Sequence, residues 1–136
     1  FLKPFWPLTL MQQAQAAIVL FAHGSRDPLW RLPMEAVAAR IVAQQPGRPV
    51  LCAYLELCTP SLADAAQQLA AQGATQVTVV PTFLGTGKHS REDLPLLVQD
   101  ICRSHPNGQF HVQAAIGEDP RMTALIAEIA CEVPTT

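Results

Sequence analysis

Short continuous apolar runs alternate along this chain with segments whose apolar residues recur every three or four positions. Continuous runs are typical of strands buried on both faces, and the periodic segments are typical of amphipathic helices. Residues 17–22, 49–57 and 76–81 are therefore predicted as buried strands. Residues 109–116 alternate polar and apolar side chains, which predicts a half-exposed edge strand.

Helices are predicted between these strands, where turn and capping residues bound the periodic segments. The first covers about residues 32–45 and the second covers residues 60–73, with Thr59 as its N-cap and Pro60 in its first position. The third is capped by Ser90 and runs to about residue 104. The last begins at Asp119-Pro120, and its predicted buried stripe consists of Met122, Leu125, Ile126 and Ile129.

Four strand–helix units in a row predict a doubly wound α/β domain. We expect a flavodoxin-like three-layer sandwich with a four-stranded, mainly parallel sheet in the order 2-1-3-4. One lobe is predicted over residues 17–133. Residues 1–16 include the aperiodic stretch FLKPFWPLTL before Met11, and we interpret them as a disordered or foreign leader.

Composition excludes several classes of partner. The net charge is −2 and only nine Lys and Arg occur in 136 residues, so we expect neither a nucleic acid nor an anionic membrane as a partner. No apolar stretch is long enough to span a bilayer. The four cysteines form no CxxC pair, which predicts ordinary buried thiols in a reduced, cytoplasmic protein.

Chemistry-bearing side chains follow the predicted buried strands. His23 comes directly after the first strand, Glu56 stands at the end of the second, and His89 follows the third after a glycine-rich loop. In the order 2-1-3-4 these strand ends meet at one rim, where open α/β sheets bind ligands. Imidazole and carboxylate together suit a divalent metal such as Fe²⁺, Co²⁺, Ni²⁺ or Zn²⁺, and they also suit proton transfer near neutral pH.

The other two histidines have simpler explanations. His105 is predicted at a helix end, where a partial positive charge is favourable, and His111 is predicted on the solvated face of the edge strand. Around the rim, Arg26, Lys88 and Arg91 are either solvated loop charges or contacts for an anionic ligand. The GTGKHS segment lacks the first glycine and the Ser or Thr of a P-loop, so a phosphate site is disfavoured.

Three motifs together resemble a known family. AHGSRDP, YLELCTPSL and PTFLGTGKHSREDLP follow the first three strands in turn, and the set is similar to the CbiX/SirB branch of the class II chelatases. The resemblance covers nearly all of residues 17–130, and the third motif is the most specific.

The resemblance implies an enzyme, a lyase that inserts Co²⁺ or Fe²⁺ into sirohydrochlorin for cobalamin or sirohaem. It implies that His23, His89 and Glu56 are the metal ligands and catalytic residues, and that Ser25 joins the rim cations Arg26, Lys88 and Arg91 as contacts of the tetrapyrrole carboxylates. No cofactor is expected beyond the metal substrate. The single lobe is similar to the short form of the family, which works as a homodimer. A non-catalytic carrier of metal or tetrapyrrole on the same fold is the alternative.

Overall fold

A central parallel sheet organises the protein, whose computed structural model describes residues 16–134. The predicted leader lies outside the described residues except for Ala16, which begins the first strand, so the predicted domain boundaries stay predictions. The elements are β1 (Ala16–Ala22), α1 (Leu32–Gln44), β2 (Val50–Tyr54), α2 (Leu62–Ala71), β3 (Gln76–Pro81), α3 (Lys88–Ser104), β4 (Gln109–Val112) and α4 (Pro120–Ala130), with 3-10 turns at Pro28–Arg31 and Ile116–Glu118.

The strand order is β2-β1-β3-β4 and every pairing is parallel, which confirms the predicted flavodoxin-like topology. Across the sheet, the connection from β1 leads towards the β2 edge, whereas the connections from β2 to β3 and from β3 to β4 lead towards the β4 edge. Right-handed connections therefore place α1 on one face of the sheet and α2 and α3 on the other, as a three-layer sandwich requires.

The main core lies between the sheet and the face carrying α2 and α3. Phe21 and Val79 of the central strands and Leu69 of α2 are at most 1% exposed. The strand pattern explains this, because Val19, Phe21, Val77 and Val79 alternate with residues that point to the other face. On that other face, Cys52 lies near α1, with its sulfur 3.6 Å from the Met34 carbonyl oxygen.

The second strand is shorter than predicted. β2 ends at Tyr54 rather than near residue 57, so Glu56 belongs to the loop that follows. Leu57 has a φ of 69°, a left-handed conformation that ends the extended run.

Two predicted N-caps are wrong. Ser61, not Thr59, caps α2 in a capping box with Asp64, because Pro60 is still extended beside β2 and accepts a hydrogen bond from the Tyr54 amide at 2.9 Å. The Thr59–Pro60 peptide bond is cis. Ser90 is a buried residue inside the first turn of α3, whose N-cap is Gly87.

The last strand and the last helix also differ from prediction. β4 ends at Val112 because the chain then bends into the Ile116–Glu118 turn. α4 begins at Pro120 as predicted, with Asp119 accepting a hydrogen bond from the Arg121 amide. Its predicted buried stripe is not buried: Leu125, Ile126 and Ile129 are 47%, 43% and 57% exposed.

Smaller predictions have mixed outcomes. All four cysteines are free, but none is buried as predicted: Cys52 and Cys58 are half-buried, and Cys102 and Cys131 are exposed on the outer side of α3 and at the end of α4. His105 is the C-cap of α3 and His111 is exposed on β4, as predicted. Within residues 16–134, no helix is both long and apolar enough to cross a membrane.

Leu69→Ala should destabilise the protein by about 2–5 kcal/mol, because the lost side chain leaves a cavity in the core where Leu69 is 0% exposed. Leu96→Ala is the matched control, since Leu96 is 60% exposed and its loss should cost less than about 0.5 kcal/mol. Urea unfolding followed by circular dichroism measures both. Equal losses in the two variants would contradict this location of the core.

Candidate functional site

The carboxyl ends of β1, β2 and β3 form one rim because these strands are neighbours in the sheet. His23 is the first residue after β1, and Glu56 lies two residues beyond β2. His89 is the second residue of α3, at the end of the loop that leaves β3. All three side chains are exposed to solvent. The topology therefore brings the predicted ligands to the same edge, each from a different segment of the chain.

The loops that carry His23 and Glu56 contact each other through their backbones. The Glu56 amide donates a hydrogen bond to the His23 carbonyl oxygen at 3.0 Å, one step beyond the bond from the Leu55 amide to Ala22 at 2.9 Å. Gly24 follows with a φ of +99°, and a Cβ atom on it would lie 1.9 Å from the Glu56 carbonyl oxygen. Only glycine permits this approach, so Gly24 fixes the distance between the two loops.

Phe83 supports the His23 side chain. The two ring centroids are 4.5 Å apart and Phe83 is 4% exposed, so a buried aromatic ring underlies one side of the exposed imidazole. The residue before it, Thr82, is held by two hydrogen bonds of 2.8 Å, from its amide and its hydroxyl, to the Phe21 carbonyl oxygen. The end of β3 is thus anchored to β1, and the position of His23 depends on that anchor.

The loop after β3 has a second anchor on the far side. The Gly117 amide donates to the Phe83 carbonyl oxygen at 2.8 Å. A Cβ on Gly117 would lie 1.7 Å from the Leu84 carbonyl oxygen, so this contact also requires glycine. The turn after β4 therefore helps to hold the loop that leads to His89.

The rim carries cationic side chains. Arg26 follows His23 by three residues, while Lys88 and Arg91 lie in the first turn of α3 beside His89. All of them are exposed, and none forms an ion pair with a carboxylate within the part of the chain that the structure describes. These charges are available to an anionic ligand.

Ser25 stabilises the loop after β1. Its hydroxyl oxygen accepts a hydrogen bond from the Asp27 amide at 3.1 Å, and the Asp27 carboxylate accepts one from the Leu29 amide at 2.9 Å. These bonds order the loop that bears His23 and Arg26. Contact between Ser25 and a substrate stays a prediction.

Apolar side chains also stand at the rim. Leu57 and Leu84, on the loops after β2 and β3, are 51% and 69% exposed. A separate groove of about 650 Å³ lies between α3 and the β4 side of the sheet, with Phe83, Arg91, Leu94 and Val112 in its lining. The rim can therefore receive a ligand that has a large apolar body and an anionic periphery.

The three predicted metal ligands stand on separate segments of the chain. Among residues 16–134, no three His, Cys, Asp or Glu side chains lie together in a group that could hold one metal ion. His23 and Glu56 share a backbone hydrogen bond, while His89 lies on a separate element. Exposed side chains change rotamer freely, so a metal would have to draw these three together.

Thiolate chemistry is disfavoured on the adjacent face. Burial raises the pKa of the Cys52 thiol, with the charge of Glu35 adding to the shift. Burial likewise raises the pKa of Tyr54 to about 12. Both groups are neutral near pH 7, so neither acts as a proton acceptor at the rim.

Sequence reasoning did not identify Phe83, Gly24 or Gly117 as residues that shape the site. Phe83 and Gly24 lie inside the motifs described above. Of the two, only Gly24, in HGS, is a residue type that by itself indicates a tight turn. The contact of Gly117 with the Leu84 loop joins distant parts of the chain and leaves no local signal.

The sequence model of the CbiX family matches residues 17–133, which is most of the chain. The chain belongs to the CbiX family. A sirohydrochlorin cobaltochelatase of Methanopyrus kandleri is 34% identical over 82 residues, which cover 60% of this chain and 57% of that protein. The match thus spans less than two thirds of that relative's own length.

Solved structures of two proteins share the fold. A cobalamin (vitamin B12) biosynthesis CbiX protein from Marinobacter aquaeolei superposes with a TM-score of 0.76 at 33% identity, covering 86% of this chain and 95% of that one. The sirohydrochlorin chelatase SirB from Bacillus subtilis, in complex with cobalt, has a TM-score of 0.70 at 24% identity. That match covers 88% of this chain but only 51% of SirB.

Gly24→Ala should cost about 1–3 kcal/mol of stability, because the new methyl group meets the Glu56 carbonyl oxygen and the backbone has a positive φ. The control is Gly85→Ala, where a Cβ would have no neighbour within 4 Å and the change should stay within about 0.5 kcal/mol. Thermal unfolding of both variants measures the difference. A Gly24→Ala protein as stable as Gly85→Ala would show that the two loops are not packed as described.

Proposed function

We propose that this protein is a sirohydrochlorin chelatase, which inserts Co²⁺ or Fe²⁺ into the macrocycle in cobalamin or sirohaem biosynthesis. The observation that carries the proposal is that the segments bearing His23, Glu56 and His89 follow three neighbouring parallel strands in a member of the CbiX family. The name of the Methanopyrus relative and the cobalt in the SirB structure support the same chemistry. A structure of SirB with Fe³⁺ supports the handling of iron.

In this proposal His23, His89 and Glu56 hold the metal. Neutral imidazoles and a carboxylate suit Co²⁺ and Fe²⁺, and three protein ligands leave coordination positions open for pyrrole nitrogens. The ligands stand on two loops and in the first turn of α3 and are exposed, which favours binding that is loose enough to be reversed. A chelatase must release its ion, so a rigid closed site of the structural zinc type would be unsuitable.

The reaction exchanges one divalent ion for two protons on the pyrrole nitrogens. As the metal passes to the macrocycle, the imidazoles of His23 and His89 become free to accept those protons, because the nitrogen lone pair that held the ion is released. Glu56 can hold the metal or accept a proton. No other cofactor takes part in this scheme.

The macrocycle fits the chemistry of the rim. Its apolar face would lie against Leu57 and Leu84, which are exposed on the loops after β2 and β3. Its peripheral carboxylates would meet Arg26, Lys88 and Arg91, whose charges are not engaged by carboxylates of residues 16–134. Ser25 would contact the substrate only where its hydroxyl proton is directed outward, since its oxygen already accepts from the Asp27 amide.

We also infer that two copies form the working enzyme and that it acts in the cytoplasm. The Marinobacter CbiX chain is matched over 95% of its length, whereas SirB is matched over 51% and has as much chain again. Free cysteines are consistent with a reducing compartment.

Purified protein mixed with sirohydrochlorin and Co²⁺ or Fe²⁺, each ion in a separate assay, should change the absorbance of the macrocycle catalytically. His23→Ala and His89→Ala should each lower kcat/KM by at least about 100-fold, because each removes a ligand and a proton acceptor. Initial rates from the visible absorption spectrum measure the effect.

His111→Ala and His105→Ala are the matched controls, since these imidazoles lie on β4 and at the end of α3, away from the rim. Both variants should keep wild-type rates. Stoichiometric binding of metal or macrocycle without turnover would instead favour the carrier, and full activity in His23→Ala and His89→Ala would contradict the assigned roles.

A further inference from the structure

An exposed tryptophan stands on the segment that follows His23. Trp30 lies in the 3-10 turn Pro28–Arg31 and is 39% exposed. Burying a large aromatic ring is among the most favourable contributions to folding, and an indole left in water forgoes part of it. Neither the predicted metal site nor the predicted cationic contacts include Trp30, so its exposure has no explanation in those assignments.

Contacts place this ring beside the loops that carry the predicted ligands. The Trp30 and Tyr54 ring centroids are 6.1 Å apart, edge to face, and Tyr54 is the last residue of β2 and only 2% exposed. A Cβ atom on Gly24 would lie 3.2 Å from the Tyr54 Cβ, so the base of Tyr54 adjoins the loop after β1. Trp30 therefore stands at the β2 side of the rim, next to the residues that follow His23 and precede Glu56.

Hydrogen bonds order the turn that bears Trp30. The Asp27 carboxylate accepts from the Leu29 amide at 2.9 Å, and the Asp27 carbonyl oxygen accepts from the Trp30 amide at 3.1 Å. The Asp27 amide in turn donates to the Ser25 hydroxyl oxygen. The indole is thus presented from an ordered turn, which lowers the entropic cost of holding it against a ligand.

The next residue, Arg31, has an unpaired donor. Its Nε atom is buried without a hydrogen-bond partner, and no carboxylate of residues 16–134 forms an ion pair with it. Burial raises the pKa of Tyr54 to about 12, and the charge of Arg31 opposes that shift, which locates the guanidinium near the same phenol. A buried donor without an acceptor is unfavourable, so this guanidinium would gain from a carboxylate.

A tetrapyrrole presents groups that complement this pair. Each outer pyrrole ring has an apolar face and carries carboxylate side chains at its edge. The macrocycle is much wider than any single side chain, so while its nitrogen atoms meet the metal its outer rings must rest on other residues. Ring faces pack well against indoles, and guanidinium groups bind carboxylates through paired N–H bonds. On the β2 side of the rim, Trp30 and Arg31 supply both.

We propose that Trp30 and Arg31 form a subsite for one outer pyrrole ring of the macrocycle, with the indole against the ring face and the guanidinium on a ring carboxylate. The inference rests on the proposed function for the identity of the macrocycle. It adds contacts on the β2 side to the rim cations Arg26, Lys88 and Arg91. It gives Trp30 and Arg31 a part in binding and none in the transfer of the metal.

Trp30→Ala should raise KM for sirohydrochlorin by about 10-fold and leave kcat within about twofold, because the ring packs equally on the ground state and the transition state. Arg31→Gln should raise KM to a similar extent through the lost charged hydrogen bond. Trp30→Phe keeps an aromatic ring and should stay within about threefold of wild type. Val42→Ala is the matched control, since Val42 is 51% exposed near the opposite end of α1, and both constants should be unchanged. Initial metallation rates measure these effects.

Calorimetric titrations with Co²⁺ alone and with metal-free sirohydrochlorin separate this inference from the proposed function. Trp30→Ala and Arg31→Gln should bind Co²⁺ like the wild type and the macrocycle about 10-fold more weakly, whereas His23→Ala should lose affinity for Co²⁺ and keep most of its affinity for the macrocycle. Unchanged macrocycle affinity and KM in both subsite variants would overturn the subsite and leave the chelatase proposal standing. A wild-type protein that does not bind sirohydrochlorin would overturn both.

Thermal unfolding and sedimentation velocity check each variant, because Trp30 also packs on Tyr54. Trp30→Leu fills much of the same space without a ring, so it should remain folded and still bind the macrocycle more weakly than Trp30→Phe does. Wild-type affinity in Trp30→Leu would contradict packing of an aromatic ring on the macrocycle. Weaker binding that is accompanied by a changed sedimentation coefficient would assign Trp30 to contact between copies and overturn the subsite.

Discussion

Hydrogen bonding along β1 continues past the end of the strand, and the arrangement of the rim depends on it. The carbonyl oxygens of Phe21, Ala22 and His23 accept bonds from the loops on both sides, from Thr82 on one and from Leu55 and Glu56 on the other. β1 is the strand between β2 and β3, so only it can reach both neighbours. The backbone of the central strand thus places the two loops that carry His23 and Glu56 and the beginning of the loop that leads to His89.

In this arrangement the backbone of the rim loops is held by packing, while the side chains of the predicted ligands remain exposed. The close approach at Gly24, the ring of Phe83 beneath His23 and the contact of Gly117 with Leu84 hold the loops in place. The imidazoles and the carboxylate project into solvent, where they pay no desolvation penalty and remain able to reorient. In the proposed function, ligands with a fixed backbone and mobile side chains would be able to release the metal ion as well as bind it.

The topology was predictable because three strongly apolar runs leave little ambiguity about the strands, and right-handed crossovers restrict their order. The rim positions of His23 and His89 followed from that order. The cap of α2 was misassigned although the signal was present: Ser61 with Asp64 three residues on is a capping box, and Thr59 competed with it. The contact between Gly24 and Glu56 joins two loops, and no local pattern encodes it. For α4, periodicity showed correctly that one side is apolar, but periodicity does not specify what covers that side.

The most direct test of the central claim, that the rim gathers two imidazoles and a carboxylate around one divalent ion, is X-ray absorption at the cobalt K edge of the Co²⁺-loaded protein. The proposal predicts a first shell of nitrogen and oxygen atoms at about 2.0–2.2 Å with the outer-shell scattering of two imidazoles, which should fall to one imidazole in His23→Ala and in His89→Ala. A shell of oxygen atoms alone, or an unchanged imidazole count in both variants, would contradict it.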